Sequence, residues 1–88
     1  MRLIEWEVKE DDYQEQINIP SEKRKMAAEE GISTDYKKKV AVQITNLNTG
    51  EMYTARSPIT GTNQIYVPVE IQQMLKDSGR IRIQILGG

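Results

Sequence analysis

A gapless shift of 48 positions lays residues 16–31 over residues 64–79 with six identities in sixteen. They are Gln16/Gln64, Ile17/Ile65, Pro20/Pro68, Glu22/Glu70, Met26/Met74 and Gly31/Gly79, with Ile19/Val67 and Glu29/Asp77 conservative. Unrelated segments agree at about one position in sixteen on average composition. The matches fall where backbone geometry makes demands. Each copy reads as a short apolar strand, a proline suited to the first turn of a helix, a helical run, and a glycine suited to the position past its end. Duplication of one segment and convergence on the same strand–turn–helix chemistry both account for the pattern. The repeat is the reading carried forward, because it constrains the rest of the chain most.

Strands surround the two copies. Ile4, Trp6 and Val8 alternate with Glu5 and Glu7, the period of a half-buried strand. Val40, Val42 and Ile44 do the same, then Asn48-Thr49-Gly50 supplies turn residues and Glu51–Arg56 resumes with β-compatible types, so the two segments read as a hairpin. Ile81, Ile83 and Ile85 alternate with Arg80, Arg82 and Gln84 in a last strand. Ile71, Met74 and Leu75 form one apolar helical stripe. The expectation is one mostly β domain over residues 1–88, with two short helices in the order β-β-α-β-β-β-α-β. It folds as a small pseudo-twofold barrel whose repeat units centre on 16–31 and 64–79, since closure removes exposed sheet edges.

Composition narrows the chemistry. With neither cysteine nor histidine among 88 residues, disulfides, thiolate nucleophiles, zinc cages and imidazole acid–base catalysis have no side chains to use. No nucleophile–base pair, P-loop or G-x-G-x-x-G is present, so the expectation is a non-enzyme with no cofactor and no metal. No run approaches the roughly 18 apolar residues of a membrane span, and the acidic start does not read as a signal peptide, so a soluble cytoplasmic protein without membrane contact is expected. The net charge of -1 conceals a gradient: residues 1–30 hold nine acids and five bases, residues 31–88 four acids and seven bases. An acidic partner would prefer the second part.

The strings Ile17-Asn18-Ile19-Pro20-Ser21-Glu22 and Ile65-Tyr66-Val67-Pro68-Val69-Glu70-Ile71 resemble the strand–Ile-Pro–helix signature of AbrB-like swapped-hairpin modules, and Gly79-Arg80-Ile81-Arg82-Ile83 is similar to the strand that follows it there. Two such units in one chain resemble MraZ-type proteins and, more broadly, DNA-binding pseudobarrels. The resemblance implies a module that binds duplex DNA, with transcriptional regulation as one role open to it, and it implies dimers.

Tested residue by residue, the segment before the second copy is the best match. Arg56 offers a guanidinium for guanine, and Asn63 and Gln64 offer amides for adenine. Ser57, Thr60 and Thr62 offer hydroxyls to phosphate, with Gly61 contributing a backbone N–H, and Lys37, Lys38 and Lys39 add cations. The bland alternatives are a polar turn for 56–64 and a solvated strand start for the lysines. The segment before the first copy, Lys9-Glu10-Asp11-Asp12-Tyr13-Gln14-Glu15, carries four acids and would repel phosphate, so the binding face is expected on one side only. Tyr13, Tyr36, Tyr53 and Tyr66 with Trp6 are candidate base-stacking residues, core filling being the better assignment for Trp6 and Tyr53.

Two other classes of function stand beside DNA binding. The ending Ile85-Leu86-Gly87-Gly88 resembles the C-terminus of ubiquitin-like modifiers and sulfur carriers, with a β-grasp fold in place of the barrel. A protein-interaction or assembly module, a homodimer or the partner of a larger protein, fits the near-neutral charge without any nucleic acid.

Overall fold

Strict alternation of apolar and polar side chains builds the larger sheet. In β3 (Lys39–Asn46) and β6 (Arg80–Gly87), Val40, Val42, Ile44, Ile81, Ile83 and Ile85 turn inward and are buried, while the residues between them face out. β1 (Ile4–Lys9) contributes Ile4, Trp6 and Val8 to the same inner face, and β4 (Met52–Pro58) contributes Tyr53 and Ala55. The structure is a computed structural model that describes residues 3–9, 16–75 and 79–88, with only the backbone at Met74 and Leu75. The acidic segment 10–15 and the outer part of the Ile71 stripe lie outside the described residues.

β2 (Gln16–Asn18) and β5 (Gln64–Tyr66) form a second, two-stranded sheet. Its inward residues, Ile17 and Ile65, join Ile19, Val67, Ile59 and the inner face of the larger sheet in one core. α1 (Ser21–Glu29) and α2 (Val69–Leu75) follow β2 and β5. Fully burying an isoleucine is worth about 1.5–3 kcal/mol, so the inward rows of both sheets hold the fold together. The chain is mostly β, in the order expected from the sequence. No helix among the described residues is long and apolar enough to cross a membrane.

The pairings have an exchange symmetry. The larger sheet runs β1-β6-β3-β4, all antiparallel, and reads the same when β1 is exchanged with β4 and β6 with β3. Gln43 pairs with Gln84 in the middle of β3 and β6. In the small sheet Ile17 pairs with Ile65, its own counterpart under the 48-residue shift. Gln16–Tyr66 and Asn18–Gln64 flank that pair, and each is the counterpart of the other. The two helix starts also match: the Pro20 carbonyl accepts from Arg24 N–H at 3.0 Å and the Pro68 carbonyl from Gln72 N–H at 2.9 Å. Pro20 itself is the N-cap, with φ -56° and ψ 145°, one residue earlier than the first helical turn expected for it. At the other end of α1, Gly31 takes φ 77°. Its N–H bonds the Ala28 carbonyl and that of Ile32 bonds the Ala27 carbonyl, the paired closure of a Schellman motif.

The sheets are joined on one side by a bridge between Ile59 and Ile65. The equivalent position on the other side falls in segment 10–15. The halves differ in one connection. The helices start 48 residues apart, at Ser21 and Val69, but the strands after them start 41 apart, at Lys39 and Arg80. From helix start to strand start the first half is therefore seven residues longer, and Tyr36, Lys37 and Lys38 lie there, between α1 and β3.

Candidate nucleic-acid interface

Ile59 is the anchor of the site, and sequence reading passed over it. It is buried at 2% exposure directly after β4. Its N–H donates to the Lys38 carbonyl at 2.8 Å, and its carbonyl accepts from Lys37 N–H at 3.1 Å. This two-way backbone contact fastens the 35–38 turn to the 60–63 turn, so the lysine run and the polar loop, distant in sequence, share one corner of the molecule. Lys39 opens β3 opposite Pro58, and Ala41 pairs with Arg56. Lys39 and Arg56 therefore project from the same outer face as diagonal neighbours, about 7–8 Å apart. Lys37, Lys38, Lys39, Arg56 and Asn63 are exposed.

The expected residues divide by what their polar atoms already do. Arg56 lies in β4, not in a loop, and its guanidinium donates to the Gly88 carbonyl at 3.3 Å. Ser57 is a correction: it is completely buried, so it offers no hydroxyl to a phosphate. Strand parity decides this, because Arg56 points out and its neighbour must point in. The Ser57 hydroxyl has no hydrogen-bond partner among the described residues.

The remaining candidates build the turn. Thr60 Oγ1 accepts from the N–H of Gln64 at 3.2 Å and of Thr62 at 3.4 Å, and it shares a hydrogen bond of 3.1 Å with Thr62 Oγ1. Thr62 Oγ1 donates to Gln64 Oε1 at 3.3 Å. The Thr60 carbonyl accepts from Asn63 N–H, and Asn63 takes φ 60°, a left-handed conformation that asparagine tolerates better than most residues. Thr60 and Thr62 spend their hydroxyls on the shape of the turn, and that shape presents the Asn63 amide. Among the described residues the Gln64 carboxamide is engaged through its Oε1, by Thr62, which leaves the N–H₂ group as its donor.

The facing turn is held in a costlier way. Lys38 N–H bonds the Asp35 carbonyl at 3.1 Å, closing a turn over residues 35–38. Lys37 sits at its third position with φ 71°, where glycine or asparagine is usual. Tyr36 stands at the tip, 60% exposed, with the Lys37 ammonium 5.5 Å from its ring centroid. A side-chain carbon placed on Gly61 would lie 4.0 Å from the edge of that ring. The two turn tips thus abut. The corner holds four cations, Lys37, Lys38, Lys39 and Arg56, with Asp35 as the acid in the same turn.

Charge elsewhere on the outer face is more balanced. Arg80 and Arg82 lie 3.5 and 3.7 Å from opposite oxygens of Glu7. The terminal glycines do not project as a tail: Gly87 pairs with Ala41 in the sheet, and Gly88 lies beside Ile32. Trp6 and Tyr53 pack half-buried against the core, whereas Tyr66 is 36% exposed on the two-stranded sheet.

No protein family and no curated protein matches the sequence. A solved structure is similar: the solution structure of PHS018 from Pyrococcus horikoshii, with a TM-score of 0.71 at 17% identity, over 99% of this chain and 94% of that one. At that identity the likeness concerns the fold.

Proposed function

We propose that this protein is a small non-enzymatic DNA-binding module of the AbrB-like kind, which grips the phosphate backbone with Lys37, Lys38 and Lys39 and reads bases with Arg56, Asn63 and the N–H₂ of Gln64. The single observation that carries the reading is the anchoring of the 35–38 turn on Ile59, which gathers four cations and two amide side chains at one corner. Guanidinium and amide groups beside lysines are the side chains that pair bidentately with base edges while ammonium groups hold the backbone. The swapped order of the strands and the matched proline-led helices support the AbrB-like part of the proposal. Against the modifier reading stand the second helix, which a one-helix grasp lacks, and the pairing of Gly87 within the sheet.

A salt titration of binding to a labelled duplex tests the proposal. Three lysine–phosphate contacts predict a slope of about -2.7 in log affinity against log salt, so affinity falls roughly fortyfold between 50 and 200 mM. Lys38→Ala should flatten the slope by about one. Salt-independent binding, or no binding at 50 mM salt, refutes the reading. Light scattering on the same samples reports whether one copy or two occupy the duplex.

A further inference from the structure

We propose that Tyr36 is a stacking platform for an unpaired base, so that this corner favours nucleic acid with a single-stranded stretch over an intact duplex. The inference rests on the nucleic-acid reading above and adds the form of the ligand.

Three observations converge on Tyr36. Its ring is 60% exposed at the tip of a turn. It stands between α1 and β3, in the half whose stretch from helix start to strand start is seven residues longer, where the exchange symmetry of the fold breaks. Its surroundings are fixed: the Asp35 carbonyl and both polar groups of Ile59 hold the backbone on either side, and Lys37 accepts a left-handed φ of 71° to complete the turn. Unfavourable backbone held in place by its neighbours is a mark of functional positions.

The chemistry then selects the ligand. The Lys37 ammonium lies over the ring at 5.5 Å, a distance at which a cation is attracted to the π face. The ring is thereby flanked by the charges that hold a phosphate backbone, with Lys38 and Lys39 continuing the run. An exposed aromatic beside a basic track is the arrangement that binds single strands, because every base has a face to stack. Within an intact duplex those faces are already stacked on one another. An unpaired base presents one, so the tyrosine adds affinity there and nearly none on a closed helix.

The test compares three fluorescent probes of equal length in one buffer: an intact duplex, the same duplex with a central unpaired bubble, and the single strand. The proteins are the full chain, Tyr36→Ala, Tyr36→Phe and Lys38→Ala, each checked for an unchanged melting temperature. Tyr36→Ala should lose roughly 5- to 150-fold on the single strand and the bubble but less than twofold on the duplex. Tyr36→Phe should keep most of the affinity, since the ring does the work. Lys38→Ala should weaken all three probes by similar factors. An equal effect of Tyr36→Ala on every probe, or none on any, overturns the proposal while leaving the DNA-binding reading intact. Failure of the full chain to bind any of the three overturns both.

Discussion

Glycine in place of Lys37 should make the protein more stable and a poorer binder at once. The perturbation acts on the backbone. A non-glycine residue pays about 1–2 kcal/mol to sit in the left-handed region, where Lys37 has φ 71°. Glycine enters that region freely but gives back about 0.5–1 kcal/mol through the greater freedom of the unfolded chain. The Lys37 N–H keeps its bond to the Ile59 carbonyl in any variant. The contact of the ammonium with the Tyr36 ring is exposed and worth about 0.5 kcal/mol. Lys37→Ala loses that same contact while retaining the strained φ, so comparing the two variants isolates the backbone. The glycine variant should exceed the alanine variant by about 0.5–1 kcal/mol, the reverse of the order at an ordinary position, or about 2–8 °C in melting temperature for a domain of this size. Urea unfolding at 25 °C with a common slope measures it. DNA affinity at low salt should fall in both variants, with the salt slope reduced by about 0.9 in each. Equal stability of the two, or a more stable alanine variant, refutes the argument that the turn is strained.

Two further outcomes follow from buried or coupled polar groups. Ser57→Ala should stabilise by about 1 kcal/mol in the same urea assay and leave DNA affinity unchanged, because the buried hydroxyl has no partner among the described residues; destabilisation would show that the hydroxyl is satisfied. The Tyr53 hydroxyl donates to Glu51 Oε2 at 2.7 Å. That hydrogen bond, reinforced by burial and by the carboxylate charge, holds the phenol above its ordinary pKa of 10.0. The folded state then keeps the proton more tightly than the unfolded state, so this contribution is complete below pH 10 and is lost as the pH rises through the folded value. Tyr53→Phe should therefore lose stability less steeply above pH 10 than the parent; identical alkaline unfolding curves would contradict it.

The order of elements was legible because the punctuation is explicit. Pro20 and Gly31 bracket one helix, and Pro68 and Gly79 mark the other. Strand parity was equally plain in Val40, Val42 and Ile44. The same parity, carried from Arg56 one step further, would have buried Ser57, and reading it as a loop hydroxyl lost that signal. Asn46 shows a different limit. Its buried side chain accepts from the N–H groups of Asn48 and Thr49, so the hairpin turn is organised from inside the strand, ahead of the turn residues that advertise it. The contact between the two turns had no local trace, because it depends on Ile59 reaching across 21 positions to Lys38. Composition alone marks Tyr36 as an aromatic beside lysines; its exposure at a turn tip comes from the fold.

A sheet with the order β1-β6-β3-β4 ends in two rims, β1 and β4, which hold equivalent places in the strand order. Such a molecule could polymerise: a neighbour accepted at one rim offers its own other rim to the next, and the contact never closes on itself. The rims carry the deterrents such a design needs. Glu5, Glu7 and Lys9 alternate along one, while Arg56 and Pro58, the latter with no N–H to offer, interrupt the other. The outermost strands thus carry the groups that oppose edge-to-edge stacking, and neutralising those few side chains would be the shortest route to a fibre.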